Sequence, residues 1–336
     1  MPSFHPSSFI LHPFYRMATR RRFGKKLFRL LVPILIVLVV ALAVALVSIV
    51  YGITRPPRRS YLVTPATFST LSGTGRALKV TEETWKNRDG SAARGWLLRG
   101  VEGAPAVIFL HRYGGDRSLL LNLGMKVNEA TGCTILWPDL RAHGLKPTVQ
   151  WTSFGSSEGN DVLAAIDFLR SLKGERRGQQ IADRVGVYGV ELGAYAALRA
   201  ASVDAGIQVL ALDSVPRNQD ELVDAAIRGD IRVNTGALMF LARKATRLYF
   251  LRQYDNKSSC DLARALGPRR ILLLAGQDNV QLRDSTKSLA PCFANAMNVE
   301  TRTDLPLSGL TLPSATGEEG ENYDRPVIDF FVKNLR

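Results

Sequence analysis

Side chains able to move protons or attack a carbonyl are sparse and unevenly spread along this chain. Its four histidines are His5, His12, His111 and His143, so no imidazole follows residue 143. One carboxylate stands out by its setting: Glu191 in GVELGA has a glycine two positions away on either side, Gly189 and Gly193. A carboxylate so placed can act as a nucleophile, but hydrolysis of the ester formed on it needs a base to activate water. Three cysteines, Cys133, Cys260 and Cys292, match no metal-ligand spacing, so neither a metal nor a cofactor is expected. Cys260 and Cys292 flank one apolar run, which leaves two readings: three free buried thiols, or a disulfide between that pair in an oxidising compartment.

Stepping from these residues to what must hold them, AVIFLH (106–111), CTILWP (133–138), RVGVYG (184–189), QVLALD (208–213) and RILLLA (270–275) are apolar runs of strand length. Runs without polar alternation are buried on both faces, the signature of a parallel sheet. Helical periodicity fills the stretches between, at 118–130, 160–172 and 192–202, with another helix expected at 323–335. The alternation predicts a doubly wound α/β architecture. RALKVTEETW (76–85) and ARGWLLRG (93–100), joined by NRDG, read as an antiparallel hairpin at its start. Far more chain separates 208–213 from 270–275 than one crossover needs, which leaves about 215–268 for a helical cap.

Four landmarks fall in order at the C-terminal ends of these strands, where open α/β sheets bind ligands. They are LHRYGGDRS (110–118), PDLRAHG (138–144), GVELGA (189–194) and LLLAGQDN (272–279). Together they resemble the α/β-hydrolase superfamily, its esterase and serine-aminopeptidase-like branch, over roughly residues 76–335. The resemblance implies that residues 110–118, with His111, Arg112 and Tyr113, form the oxyanion loop. It implies that Glu191 occupies the nucleophile elbow, followed by Leu192, and that the triad acid falls at Asn279 or, one register earlier, Asp278. The superfamily has a serine at the elbow, with dehalogenase-like relatives carrying aspartate, and its catalytic histidine follows the last strand. Here DLPLSGLTL (304–312) occupies that stretch, with Leu310 after Gly309.

Without a proton relay most of the chemical acceleration is lost even where oxyanion donors remain. The expected function is therefore a pseudoenzyme, a binding or scaffolding domain taking a small-molecule or protein ligand in the former active-site cleft. The alternative is a hydrolase of esters, amides or peptides that pairs Glu191 with His111 or His143. The bland reading of His111 is that it orders its loop, and of His143 that it fills a variable turn position. Arg112 is either ion-paired with Glu191, closing the cleft, or turned to solvent. Asp213 and Ser214 are read as a structural turn, and Ser156 and Ser157 as helix caps with Asp161 near the helix start.

Residues 1–60 hold ten Lys/Arg and no Asp/Glu, leaving 34 basic against 30 acidic side chains in the rest of the chain. The formal charge of +14 thus belongs to one end, and no nucleic-acid partner is expected. From Leu30 to Thr54 no charge occurs. A bilayer core needs roughly 20 helical residues, whereas a cleavable signal has an apolar core of only ~7–15. The stretch reads as an uncleaved signal anchor, with a signal cleaved near Ala43 and Ala45 as the alternative. Seven basic residues (Arg16, Arg20, Arg21, Arg22, Lys25, Lys26, Arg29) precede it and three (Arg55, Arg58, Arg59) follow. That bias sets the N-terminus in the cytoplasm and the domain outside the cytoplasmic membrane. The expected organisation is a basic segment 1–29, an anchor 30–54, an extended linker 55–75 and a hydrolase-like domain 76–336. Residues 1–16 lack periodicity, and Met17 begins a more typical anchor start.

Overall fold

The computed structural model describes residues 15–58, 60–71, 79–174, 178–231, 235–311 and 317–335. Residues 1–14 of the aperiodic N-terminus, residues 76–78 of the expected first strand and residue 312 of the expected histidine loop lie outside them. Helix α1 (Tyr15–Thr54) contains a 27-residue stretch, Phe28–Thr54, long and apolar enough to cross a membrane. Residues Val50–Arg336 form a separate compact unit that includes the last turn of that helix.

The unit is built on an eight-stranded sheet. Its strands are β1 (Val80–Lys86), β2 (Ala92–Leu98), β3 (Ala104–Leu110), β4 (Thr134–Pro138), β5 (Ile181–Val190), β6 (Ile207–Asp213), β7 (Arg270–Gly276) and β8 (Val299–Leu305). They lie in the order β1-β2-β4-β3-β5-β6-β7-β8. β1 pairs β2 and β2 pairs β4 antiparallel; every other pair is parallel. The central strands are apolar on both faces because helices cover both, and Val107, Phe109, Tyr188 and Leu274 are buried in one continuous core. α3 (Leu121–Thr131), α4 (Ser156–Ser171), α5 (Leu192–Ala201), α9 (Val280–Leu289) and α10 (Gly317–Leu335) supply the covering layers. Between β6 and β7 lie α6 (Gln219–Ala226), a π-helical turn at Ile227–Ile231, α7 (Gly236–Phe250) and α8 (Ser259–Arg264).

Two local expectations come out differently, and the two readings of the cysteines are decided. The described residues 55–58 and 60–71 of the expected linker are not a free spacer: they carry a helix, α2 (Pro65–Leu71), and are strapped to the domain. The Tyr61 ring meets Trp96 edge-on at 5.2 Å and its hydroxyl donates to Asp139 Oδ2 at 2.7 Å, while the Arg117 guanidinium stacks over both rings. Burial of these rings outweighs the chain entropy that a linker would keep. Neither Ser156 nor Ser157 caps α4. Gly155 does, and Glu158 folds back to accept from Gly155 N at 2.8 Å and from both Thr152 and Ser153 hydroxyls at 2.6 Å. Asp161 pairs with Arg141 at 2.5 Å. Cys260 and Cys292 are joined in a disulfide that ties the start of α8 to the turn after α9, whereas Cys133 remains a thiol.

Candidate functional site

β5 passes into α5 with one residue, Glu191, between them, held at φ 50° and ψ −103°. Such a turn costs about 1–3 kcal/mol in a non-glycine residue and persists only where its surroundings enforce it. Here the enforcement is close backbone packing. A methyl group on Gly189 would lie 2.6 Å from the Gly193 carbonyl, and one on Gly193 would lie 2.3 Å from Leu110 O. Glu191 N–H donates to Asp213 O at 2.9 Å, locking the elbow to β6. Leu192 is fully buried at the head of α5.

The Glu191 carboxylate turns toward the loop after β3, and Oε2 accepts from Tyr113 N at 3.1 Å. Its pKa is pushed up to about 7 by burial, against the opposing pull of the Arg112 charge and the Tyr113 N–H. Arg112 and Glu191 form no ion pair within 4 Å: the guanidinium Nη1 donates to Tyr113 O at 3.0 Å, and its buried Nε has no hydrogen-bond partner. Neither expected reading of Arg112 describes this inward, backbone-bound position. The Tyr113 hydroxyl lies 2.8 Å from both Ile53 O and Asp230 Oδ2, and its ring stacks on Phe154. A cleft of about 250 Å³ remains, lined by Pro57, Arg112, Tyr113, Glu191, Asp230 and Leu310 among others.

Both nearby histidines are fully committed to backbone. His111 Nδ1 lies 2.8 Å from Arg112 O and Nε2 accepts from Leu140 N at 3.0 Å. His143 Nδ1 lies 2.8 Å from Arg141 O and Nε2 accepts from Gly114 N at 3.1 Å. In each ring one nitrogen faces a carbonyl and must carry the proton, and the other has its lone pair occupied by an amide, so the ring is neutral. Burial drives the pKa of His111 down to about 4, helped by the Arg112 and Arg117 charges. It drives that of His143 down to about 3, helped by His111. The rings brace the loops after β3 and β4, and neither offers a free acceptor to a nucleophile.

The positions expected to carry the acid and the base hold other groups. Asp278 Oδ2 accepts from Ser308 Oγ at 2.8 Å and Thr311 Oγ1 at 2.7 Å, so the carboxylate is spent on holding the loop after β8. Asn279 caps α9, accepting from Leu282 N at 3.1 Å. Leu310 lines the cleft on the loop after β8. A buried knot beneath the loop after β8 has no motif in the sequence to mark it. Asp213 Oδ2 accepts from Gly309 N at 3.0 Å and from the Tyr323 hydroxyl, which lies 2.6 Å from the Tyr188 hydroxyl. Burial raises Asp213 to about 6 against hydrogen bonds from Ser214, Tyr323 and Gly309. Asp230 also came without a motif; its place in the IRGDI stretch gave no signal of its role beside Tyr113. Among the described residues no group of three or more His, Cys, Asp or Glu is arranged to hold a metal ion.

This sheet order, with a strained single-residue turn between the fifth strand and its helix, is the α/β-hydrolase fold. The chain is similar to an esterase from Pyrococcus furiosus at 19% identity, TM-score 0.62, over 85% of this chain and 100% of that one. It is also similar to the α/β hydrolase GrgF from Penicillium, at 14% identity and TM-score 0.55 over 77% and 99% of the two chains. A dienelactone hydrolase from Anabaena variabilis aligns at 14% identity and TM-score 0.51, over 77% and 100%. At these identities the likeness establishes the fold and says nothing of activity. No family model and no curated protein sequence matches the chain.

Proposed function

We propose that this protein is a membrane-tethered pseudoenzyme, a hydrolase-fold domain that binds a small-molecule or protein ligand in its cleft without turning it over. One observation carries the reading: the Tyr113 amide, on the loop that would stabilise an oxyanion, already donates to the carboxylate of Glu191. An oxyanion hole works by aiming unpaired donors at developing charge. This donor is taken, by the carboxyl group of Glu191. His111 and His143 have no lone pair to offer, and Asp278 and Asn279 serve as a loop tie and a helix cap. The bilayer-length α1 tethers the domain, with the N-terminus inside and residues 55–336 outside the cytoplasmic membrane. The excess of basic residues before the span favours that orientation, as does the Cys260–Cys292 disulfide, which is at home in an oxidising compartment.

The test is hydrolysis of short-chain nitrophenyl esters and aminoacyl anilides by the full chain in lipid nanodiscs. Wild type and Glu191→Ala should both run at the uncatalysed rate. Turnover in the wild type that vanishes in Glu191→Ala would instead establish a hydrolase with an unorthodox site.

A further inference from the structure

Helix α7 is apolar on two opposite faces. Met239, Ala242, Thr246 and Phe250 are buried against the domain, as the inner stripe of a surface helix should be. The other side should then be polar, yet it presents Phe240, Leu241, Leu248 and Tyr249, with Leu251 just beyond. Leu248 is 71% and Tyr249 53% exposed. Lys244 stands among them with its ammonium over the Phe240 ring, and no ion pair engages it among the described residues. Arg243 and Arg247 flank the stripe but turn back to Asp224 and Asp220 on α6. A large contiguous exposed apolar patch marks a surface that something else covers.

The turn that precedes this helix and the helix's C-terminal end both pack close to the last turn of α1, at Gly52–Thr54. At the N-terminal end, the preceding π-helical turn holds Asp230, which shares the Tyr113 hydroxyl with Ile53 O, and Ile231 packs near Gly52. At the C-terminal end, Phe250 meets the Trp151 ring at 5.6 Å, and the next residue, Thr152, donates its N–H to Thr54 O at 2.9 Å. Tyr51, 59% exposed with the Arg55 guanidinium 3.7 Å above its ring, is the aromatic and cationic pair that marks the level of lipid headgroups at a helix exit.

We propose that the outward face of α7 lies in the interfacial layer of the leaflet from which α1 emerges, with its apolar side chains among the upper acyl chains and Lys244 among anionic headgroups. An aliphatic and aromatic face on which Lys244 is the one unpaired cation among the described residues, close to the last turn of α1, fits a lipid surface. A polar protein surface would not complement it. The inference rests on α1 being a membrane anchor, and its test separates the two.

Nitroxide labels are placed singly at Leu248→Cys, at Leu35→Cys inside the apolar run and at Met297→Cys, 88% exposed, in the full chain reconstituted into phosphatidylglycerol-containing vesicles. Collisions with oxygen and with a water-soluble nickel chelate are then compared. The expected result is a label at 35 in the hydrocarbon, a label at 248 about 5–10 Å into the headgroup–acyl boundary, and a label at 297 in water. A label at 248 as wet as that at 297, with 35 still in hydrocarbon, overturns the docking of α7 and leaves the anchor standing. A wet label at 35 overturns both. Dipolar broadening between labels at 248 on two molecules overturns the lipid assignment in favour of a second copy of this chain.

Discussion

Two regions at the C-terminal ends of the strands are built on opposite terms: one wall of the cleft, formed by the elbow and the oxyanion loop, and the loops after β7 and β8. On the elbow and oxyanion-loop wall every position is enforced by backbone: Gly189 and Gly193 admit no methyl group, Glu191 is held at positive φ, and two histidines clamp four backbone groups. In the loops after β7 and β8 the positions that would carry an acid and a base are filled by ordinary structural devices. These are an asparagine cap, an aspartate tied to Ser308 and Thr311, and a leucine. The difference teaches that the geometry of such a site and its chemistry are separable. Backbone packing needs only small residues and a rigid turn, whereas proton transfer needs particular side chains with free lone pairs.

The sharpest way to break this contrast is at Gly193. Gly193→Ala drives a methyl group into Leu110 O and should lower stability by at least about 3 kcal/mol, or abolish folding, as read by thermal unfolding. An elbow that accepts the alanine with no loss would show that this wall is as permissive as those loops.

Next in size is a pH effect on the same wall. Folding raises Glu191 from 4.5 to about 7, so it favours the neutral carboxyl; the contribution is full below about pH 4.5 and is lost as pH rises through 7. Above pH 7, Glu191→Gln should exceed the wild type by about 3 kcal/mol in denaturant unfolding, and the gap should close below about pH 5. Asp161, raised to about 7, and Asp213 titrate in the same window, which is why the difference between variants is the quantity to follow. His111 and His143 run the other way: their pKa values are depressed, so their contribution is present above about pH 6.5 and is lost as pH falls toward 4 and 3. A pH-independent gap between Glu191→Gln and wild type would mean that the carboxylate is not desolvated.

The smallest effect belongs to the loops after β7 and β8. Asn279→Ala removes one helix cap and should cost about 1 kcal/mol in the same unfolding experiment. A cost approaching that of Gly193→Ala would erase the contrast.

Much of the scaffold was legible because continuous apolar runs and helical periodicity are local signals. All five apolar runs became adjacent strands of one sheet, and 76–100 supplied the antiparallel start. Glu191 was found for the same reason, since two glycines around one residue between a strand and a helix encode a turn locally. What stayed hidden depends on contacts distant in sequence. Asp213 and Tyr323 meet across 110 residues, and the Tyr113 hydroxyl reaches Asp230 across 117. Cysteine spacing left two readings of Cys260 and Cys292 because pairing is fixed by how α8 and α9 pack. The inward turn of Arg112 depends on one carbonyl of its own loop, which no residue pattern reports.

Tyr113 gives its amide to Glu191 and its hydroxyl to Ile53 and Asp230, and Pro57 forms part of the same cleft. A water-soluble fragment cut after the apolar helix, at residue 60, discards two of these neighbours and leaves the tyrosine hydroxyl with Asp230 alone. Ligand screens on such a fragment would interrogate a remodelled opening, so the meaningful reagent retains the apolar helix.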